Sequence, residues 1–234
     1  MEAACLSSAD FWEADSATSP GIAMQNPRAP IPAPEHLPND IIAFATSGST
    51  GSPKWICHTR ETLLASAGSV NRFLQITAED IWVCALPIFH VGGMGIYARG
   101  YLSQSAVIPF ETKWCPTKFT EHLAANQATL TSLVPTQVHD LVAGKLTAPP
   151  SLRAVIVGGG SLDLSLKAQA RNLGWPVLAS YGLTEAASQV ATEHNLGNLS
   201  LLDIWSARTE ENGCLSLQGP ALAKGIYQHG TQLP

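Results

Sequence analysis

The apolar positions of this chain switch between two periods. DIIAFAT (40–46) is a short apolar run suited to a buried strand, and KWICHT (54–59) reads as a second strand. RETLLASAGSVNRFLQ (60–75) places Leu63, Leu64, Ala67, Val70, Phe73 and Leu74 at three- and four-residue spacings, one face of a helix that Thr59 is placed to cap. DIWVCAL (80–86) returns to strand, VGGMGIYARGYLSQ (91–104) to helix and AVIPF (106–110) to strand. PTKFTEHLAANQ (116–127) and PTQVHDLVAGK (135–145) both open on proline, which favours the first turn of a helix, and they bracket a strand at TLTSLV (129–134). LRAVIVGG (152–159), LDLSLKAQARNL (162–173) and PVLASYG (176–182) repeat strand, helix, strand. Such alternation needs crossover connections, so the fold class is α/β, a mostly parallel sheet with crossover helices.

The two ends depart from this pattern. Six prolines in residues 16–38, with little apolar periodicity, predict an extended proline-rich lead-in over 1–38, with ordered structure from Asn39. The α/β core is expected over 39–195. After Ser188 the pattern loosens, and CLSLQG (214–219) reads as a strand of a smaller β unit over 196–234.

Composition narrows the classes. The chain has 234 residues, 45% hydrophobic and 13% charged, enough apolar material for a sizeable core and too little charge for a disordered segment. A net charge of −5 with no basic stripe argues against nucleic acid as partner. Five scattered cysteines, an odd number with no CxxC pair, argue against a disulfide framework or zinc site and point to a reducing cytoplasm. The acidic start MEAACLSSADFWEAD lacks the features of a signal peptide, and no apolar run approaches the roughly 18 residues of a membrane span.

Open parallel sheets bind ligands beyond the carboxyl ends of their strands. Four unusual loops follow expected strands: TSGSTGSPK (46–54), LPIFHVGGMG (86–95), GGGS (158–161) and YGLTE (181–185). If all these strands are parallel, the four loops leave one edge together. In the first, glycines let successive N–H groups point at one spot, hydroxyls add donors and Lys54 supplies a positive charge: a polyphosphate cradle. The spacing excludes a P-loop, because Pro53 stands where that motif needs glycine, and excludes a G-x-S-x-G elbow, because Ser47 holds the first glycine's place. A solvent-exposed Gly/Ser turn is the plain alternative.

The ordered string TSGSTG-x-PK closely resembles the signature loop of the adenylate-forming superfamily, which includes acyl-CoA synthetases, luciferases and the adenylation domains of peptide synthetases. The resemblance implies that Thr46, Ser47, Gly48, Ser49, Thr50 and Gly51, with Lys54, close over the phosphates of ATP. Tyr181-Gly182-Leu183-Thr184-Glu185 resembles the superfamily's Tyr-Gly-x-Thr-Glu motif. By that likeness Tyr181 stacks on adenine beside Gly182 and Leu183, Thr184 contacts phosphate and Glu185 holds Mg²⁺. A core aromatic and a helix-start carboxylate would explain Tyr181 and Glu185 separately, but not as part of one five-residue match. Gly158, Gly159, Gly160 and Ser161 match the glycine-rich loop that lies flat against adenine. LPIFHVGGMG resembles the acyl-pocket segment, with His90 as its gate and Gly92 and Gly93 behind it; a helix-capping role is the alternative for His90. The remaining histidines, His58 among them, read as surface or core-edge residues, with His36 in the lead-in.

LPIFHVGGMGI (86–96), SLVPTQVHDLV (132–142) and SYGLTEAASQVAT (180–192) further resemble the 2-succinylbenzoate–CoA ligases of menaquinone biosynthesis. Thr136, Ser188 and Thr192 are then candidates to hold the acid. The implied chemistry is ATP-dependent, AMP-forming ligation of a carboxylic acid to coenzyme A, with Mg²⁺. A homo-oligomer is left open. The likeness covers roughly 39–231, so the chain is expected to be the amino-terminal core of such an enzyme, without the mobile C-terminal domain and with weak turnover at best. Trp55, where many relatives carry glycine, is expected to pack under the phosphate loop. Two other classes stay open: a non-catalytic nucleotide- or acyl-binding module, and an adenylation domain serving a different acid or a carrier protein.

Overall fold

A computed structural model describes residues 2–28, 30–47, 52–194, 197–228 and 231–233. Seven helices are described: α1 (Ala3–Leu6), α2 (Ala9–Trp12), α3 (Arg60–Leu74), α4 (Val91–Ser103), α5 (Pro116–Ala125), α6 (Pro135–Ala143) and α7 (Leu164–Asn172). The strands are β1 (Ile22–Met24), β2 (Ile42–Thr46), β3 (Lys54–His58), β4 (Ile81–Cys84), β5 (Ala106–Pro109), β6 (Leu130–Leu133), β7 (Ala154–Val157), β8 (Val177–Leu183), β9 (Ser188–His194), β10 (Asn198–Leu201), β11 (Ser206–Thr209), β12 (Leu215–Gln218), β13 (Gly225–Gln228) and β14 (Thr231–Leu233).

The main sheet has the order β10-β9-β8-β7-β6-β4-β5. Strands β5, β4, β6, β7 and β8 run parallel, and β9 and β10 add antiparallel to the β8 edge. Alternation along these strands sorts side chains to two faces. Trp82, Cys84, Leu130, Ala154 and Ile156 join α3 and α4 in one core. Val83, Leu133, Val155, Val157 and Val177 face the other way, with Phe119, Leu123, Val138, Leu141 and Ala170 of α5–α7. The sheet therefore sits between two helical layers, as a doubly wound sheet must to bury both faces. Local signals hold where expected: the Thr59 hydroxyl accepts the Thr62 N–H to cap α3, and Pro116 and Pro135 sit in the first turns of α5 and α6.

Three sequence expectations are corrected. First, β2 and β3 do not belong to the parallel sheet. They pair antiparallel in a second sheet, β1-β2-β3-β13-β14, so TSGSTGSPK joins the arms of a hairpin instead of leaving a parallel strand. Second, residues 1–38 are more than an extended lead-in. Leu6 and Trp12 are buried in the main core, Trp12 donates to the Leu6 carbonyl at 2.8 Å, and β1 pairs parallel with β2. Ile31 and Leu37 pack on Ala43, Ala45, Trp55 and Cys57, the outer face of the second sheet. Trp55 belongs to that face, its indole N–H donating to the Pro32 carbonyl at 3.0 Å. Third, the C-terminal region is split: β12 pairs with β11 in a separate ribbon, but β13 pairs with β3.

Candidate nucleotide and acid site

The parallel strands end on one edge, and the chain at or just beyond the ends of β4, β6, β7 and β8 lines one cavity of about 630 Å³. Ala85, Leu86 and Pro87 follow β4, Val134 and Thr136 follow β6, Gly158 and Gly159 follow β7, and Gly182–Thr184 close β8. The GGGS, LPIFHVGGMG and YGLTE loops thus converge as parallel topology requires. The β2–β3 hairpin of the second sheet reaches the turn that follows β8, beside the cavity-lining Thr184. Lys54 Nζ lies 2.6 Å from Glu185 Oε1. Thr46 is paired in register with Lys54, and its hydroxyl donates to the Lys54 carbonyl at 3.4 Å; Ser47 is exposed. Gly48, Ser49, Thr50 and Gly51 lie outside the described residues.

Backbone requirements explain the glycines. A Cβ on Gly182 would sit 1.8 Å from the Ser188 carbonyl oxygen, where β8 and β9 slip register beside Tyr181. Only glycine permits that approach. Gly159 has φ +74°, which leaves this bend flat and free of side chains at the cavity wall. Gly160 and Ser161 are exposed just outside the lining, and the Tyr181 ring stands 43% exposed. Thr184 begins a single 3₁₀ turn, Thr184–Ala186, that carries Glu185 out of the end of β8. Ala187 and Ser188 follow with φ of 53° and 122°, strained backbone of the kind that collects at functional sites.

His90 occupies the N-cap position of α4 but its side chain makes no capping bond; it lines the cavity instead. Burial lowers its pKa, and the positive charge of Arg28 adds to that, so the imidazole is neutral near pH 7. Gly92, Thr136 and Ser188 also line the cavity. Two candidates do not. Gly93 is a packing glycine, whose Cβ would meet the Pro87 carbonyl at 2.2 Å. Thr192 is fully buried on β9, its hydroxyl accepting from Gln189 Nε2 at 2.7 Å.

The sequence reading missed Arg99. This guanidinium is 2% exposed, lines the cavity and lies 5.5 Å over the Trp82 ring. Its Nε and Nη1 have no hydrogen-bond partner among the described residues, nor do the cavity-lining Ser132 hydroxyl and Gln189 Oε1. Burial lowers the Arg99 pKa to about 10, with Cys84 working weakly against it, so it remains a cation. An orphaned buried polar group costs about 1–3 kcal/mol, so these groups are suited to a ligand that satisfies them. A sequence signal existed: Arg99 sits in the apolar helix VGGMGIYARGYLS with no acidic residue three or four positions away.

His58 was misplaced as well. It is fully buried, with Nε2 2.7 Å from the Thr184 carbonyl and Nδ1 3.0 Å from the Thr62 hydroxyl.

The family described as AMP-binding enzyme matches residues 3–227. The chain belongs to the AMP-binding enzyme family. Among its AMP-binding relatives, a 2-succinylbenzoate–CoA ligase of Escherichia coli (strain K12) is 35% identical over 190 residues, 79% of this chain and 40% of the relative. One of Bacillus velezensis is 32% identical over 198 residues, 78% of this chain and 40% of that protein. An o-succinylbenzoate coenzyme A synthetase from Bacillus subtilis, solved in complex with ATP and magnesium ion, superimposes with a TM-score of 0.72 at 27% identity, over 80% of this chain and 45% of that one. The chain spans about 40% of the length of the curated relatives it matches.

The residues present fit a magnesium ion that takes most of its ligands from a substrate. Among the described residues no group of three His, Cys, Asp or Glu side chains builds a metal cage. Glu185 is a partly exposed carboxylate with a cation already beside it, the single hard donor that Mg²⁺ bound chiefly by phosphate and water needs.

Proposed function

We propose that this chain is the nucleotide- and acid-binding core of an ATP-dependent, AMP-forming acid–CoA ligase, acting on 2-succinylbenzoate. The observation that carries the proposal is the meeting of Lys54 and Glu185 at the edge where Gly158, Gly159 and the Arg99 cavity also lie. In the first step a carboxylate oxygen attacks the α-phosphorus of ATP and pyrophosphate leaves, giving an acyl-adenylate. In the second, the thiol of coenzyme A attacks the acyl carbon and AMP leaves.

Each group of residues has a task in the first step. Tyr181, Gly158 and Gly159 hold the adenine by its two faces. Lys54 and the hairpin hydroxyls neutralise and align the phosphates, because phosphoryl chemistry is limited by charge and placement more than by proton transfer. Mg²⁺, held by Glu185, would spread the charge of the departing pyrophosphate. His90 borders the acid as a neutral imidazole.

Arg99 favours a dicarboxylate. An acid with one carboxylate at the α-phosphate and another on the buried guanidinium uses both, and 2-succinylbenzoate carries two. The cations Arg28 and Arg99 also weigh against an amino-acid substrate. The cavity-lining acid Asp140 already accepts the Trp114 indole N–H at 2.8 Å.

ATP–pyrophosphate exchange, run with 2-succinylbenzoate, benzoate, succinate and hexanoate, tests the reading. Exchange is expected with 2-succinylbenzoate at a kcat/KM at least tenfold above the others. Robust exchange with a monocarboxylate and none with 2-succinylbenzoate overturns the substrate; no exchange with any acid, in the presence of bound ATP, favours the non-catalytic module.

A further inference from the structure

Strand β3 touches the Thr184–Glu185 turn at both of its ends. Lys54, Ile56 and His58 alternate with Trp55 and Cys57, so the first three share one face. Lys54 reaches Glu185 Oε1 from the start of the strand, and His58 Nε2 meets the Thr184 carbonyl from its end. The Glu185 carbonyl is fixed in turn by the Ala223 N–H at 2.8 Å.

The Nε2 end of the hydrogen-bond chain through His58 has a defined direction. A carbonyl only accepts, so Nε2 carries the proton. Nδ1 lies 3.0 Å from the Thr62 hydroxyl, whose one proton also faces the Thr59 carbonyl at 2.9 Å. That hydroxyl oxygen accepts the Thr59 N–H at 3.0 Å, within the capping box of α3. The Thr184 carbonyl already accepts the Ala187 N–H of its own turn at 3.0 Å, so His58 takes its second lone pair. The ring is buried and packed edge-on to Phe44, with centroids 6.2 Å apart. Burial lowers its pKa to about 4, against the raising effects of the Thr184 bond and the Glu185 charge, so the ring is neutral near pH 7.

We propose that His58 is a positioning residue: its Nε2–H holds the Thr184 carbonyl and thereby sets where the Thr184 hydroxyl and the Glu185 carboxylate stand for a metal-bound triphosphate. The role rests on the nucleotide reading of the site. It differs from ordinary core packing in what it acts on, since the bond crosses 126 residues of chain to the one turn that carries both polar side chains. The start of α3, which follows His58 directly, is the rigid support.

Two variants separate positioning from packing. His58→Phe keeps a flat ring and loses the donor. His58→Gln places an amide N–H near the position of Nε2–H. Calorimetric titration is made with Mg·ATP and, without metal, with AMP, alongside thermal unfolding. His58→Phe is expected to weaken Mg·ATP binding roughly tenfold, the equivalent of one buried hydrogen bond, and to leave AMP binding within twofold. His58→Gln is expected to restore most of the loss. In exchange assays the KM for Mg·ATP rises in His58→Phe while the KM for the acid is unchanged. Equal weakening of AMP and Mg·ATP, or loss of both in step with thermal stability and without rescue by glutamine, overturns positioning in favour of packing. If the unsubstituted protein binds AMP but His58→Phe binds Mg·ATP normally, only the His58 role fails. If the unsubstituted protein binds neither nucleotide, the nucleotide reading falls, and the His58 role with it.

Discussion

Lys54 and Glu185, 131 residues apart in the chain, form a 2.6 Å ion pair that joins the second sheet's hairpin to the carboxyl edge of the main sheet. Both side chains are partly exposed, at 21% and 28%. A pair this accessible contributes at most about 1 kcal/mol to folding. On the proposed function its use lies elsewhere: each partner is a charge that a metal-bound triphosphate would take over.

Lys54→Ala is therefore expected to separate stability from turnover. ATP–pyrophosphate exchange should fall by roughly 10²-fold or more, in line with the removal of one preorganised charged donor. The melting temperature should move by only a few degrees, consistent with about 1 kcal/mol. A large melting shift with little change in exchange would make the pair structural.

Arg99 should show the opposite trade. Arg99→Met removes a buried cation whose Nε and Nη1 have no partner among the described residues, so stability is expected to hold or rise. The KM for the dicarboxylate should rise on the order of 10²-fold, while the KM for ATP stays put. Equal effects on both substrates, or none on the acid, would remove Arg99 from acid recognition.

Tyr181 is 43% exposed at the register slip between β8 and β9 and belongs to none of the hydrophobic clusters of the described residues. Tyr181→Ala should weaken AMP binding by roughly tenfold, since an aromatic stack on a base is worth about 1–3 kcal/mol. Tyr181→Phe should bind as the native protein does. AMP affinity unchanged in Tyr181→Ala would move adenine away from this face.

Asp80 sits at the opposite, amino edge of the main sheet and governs acid stability. Burial alone would raise its pKa. Bidentate bonds from Arg153 at 2.7 Å, the Thr77 N–H at 3.0 Å and the Thr129 hydroxyl at 2.7 Å outweigh that and bring it to about 2. The folded value lies below the ordinary 3.8, so the stabilisation is present in full above about pH 4 and is lost as pH falls towards 2. Its size is about 1–2 kcal/mol, allowing for screening of the part-exposed Arg153. Denaturant unfolding of native and Asp80→Asn protein should differ by that amount at pH 7 and converge near pH 2; a gap that persists at low pH would contradict the assignment.

The sequence made the five parallel strands of the main sheet legible because each strand and helix carried its own period; β9 and β10, past Ser188, carried none that stood out. It also marked the glycines and the Tyr181–Glu185 turn, where backbone geometry admits few residue types. It did not place β2 and β3 in a second sheet: a buried antiparallel hairpin and two buried parallel strands share the same short apolar pattern. Leu6 and Trp12 were lost behind the prolines that follow them, because isolated anchors carry no period. His58 was legible only through alternation with Lys54 along β3. Arg99 was legible only as a charge with no helical partner.

One nucleotide pocket at the carboxyl edge of the main sheet underlies the Lys54, Arg99 and Tyr181 expectations, and photolabelling with 2-azido-ATP tests it most directly. Peptide mass spectrometry should place the label on the segments holding Gly158, Gly159 and Tyr181, and excess AMP should abolish it. Specific, AMP-competed label on other segments, with these two unmodified, would contradict the assignment.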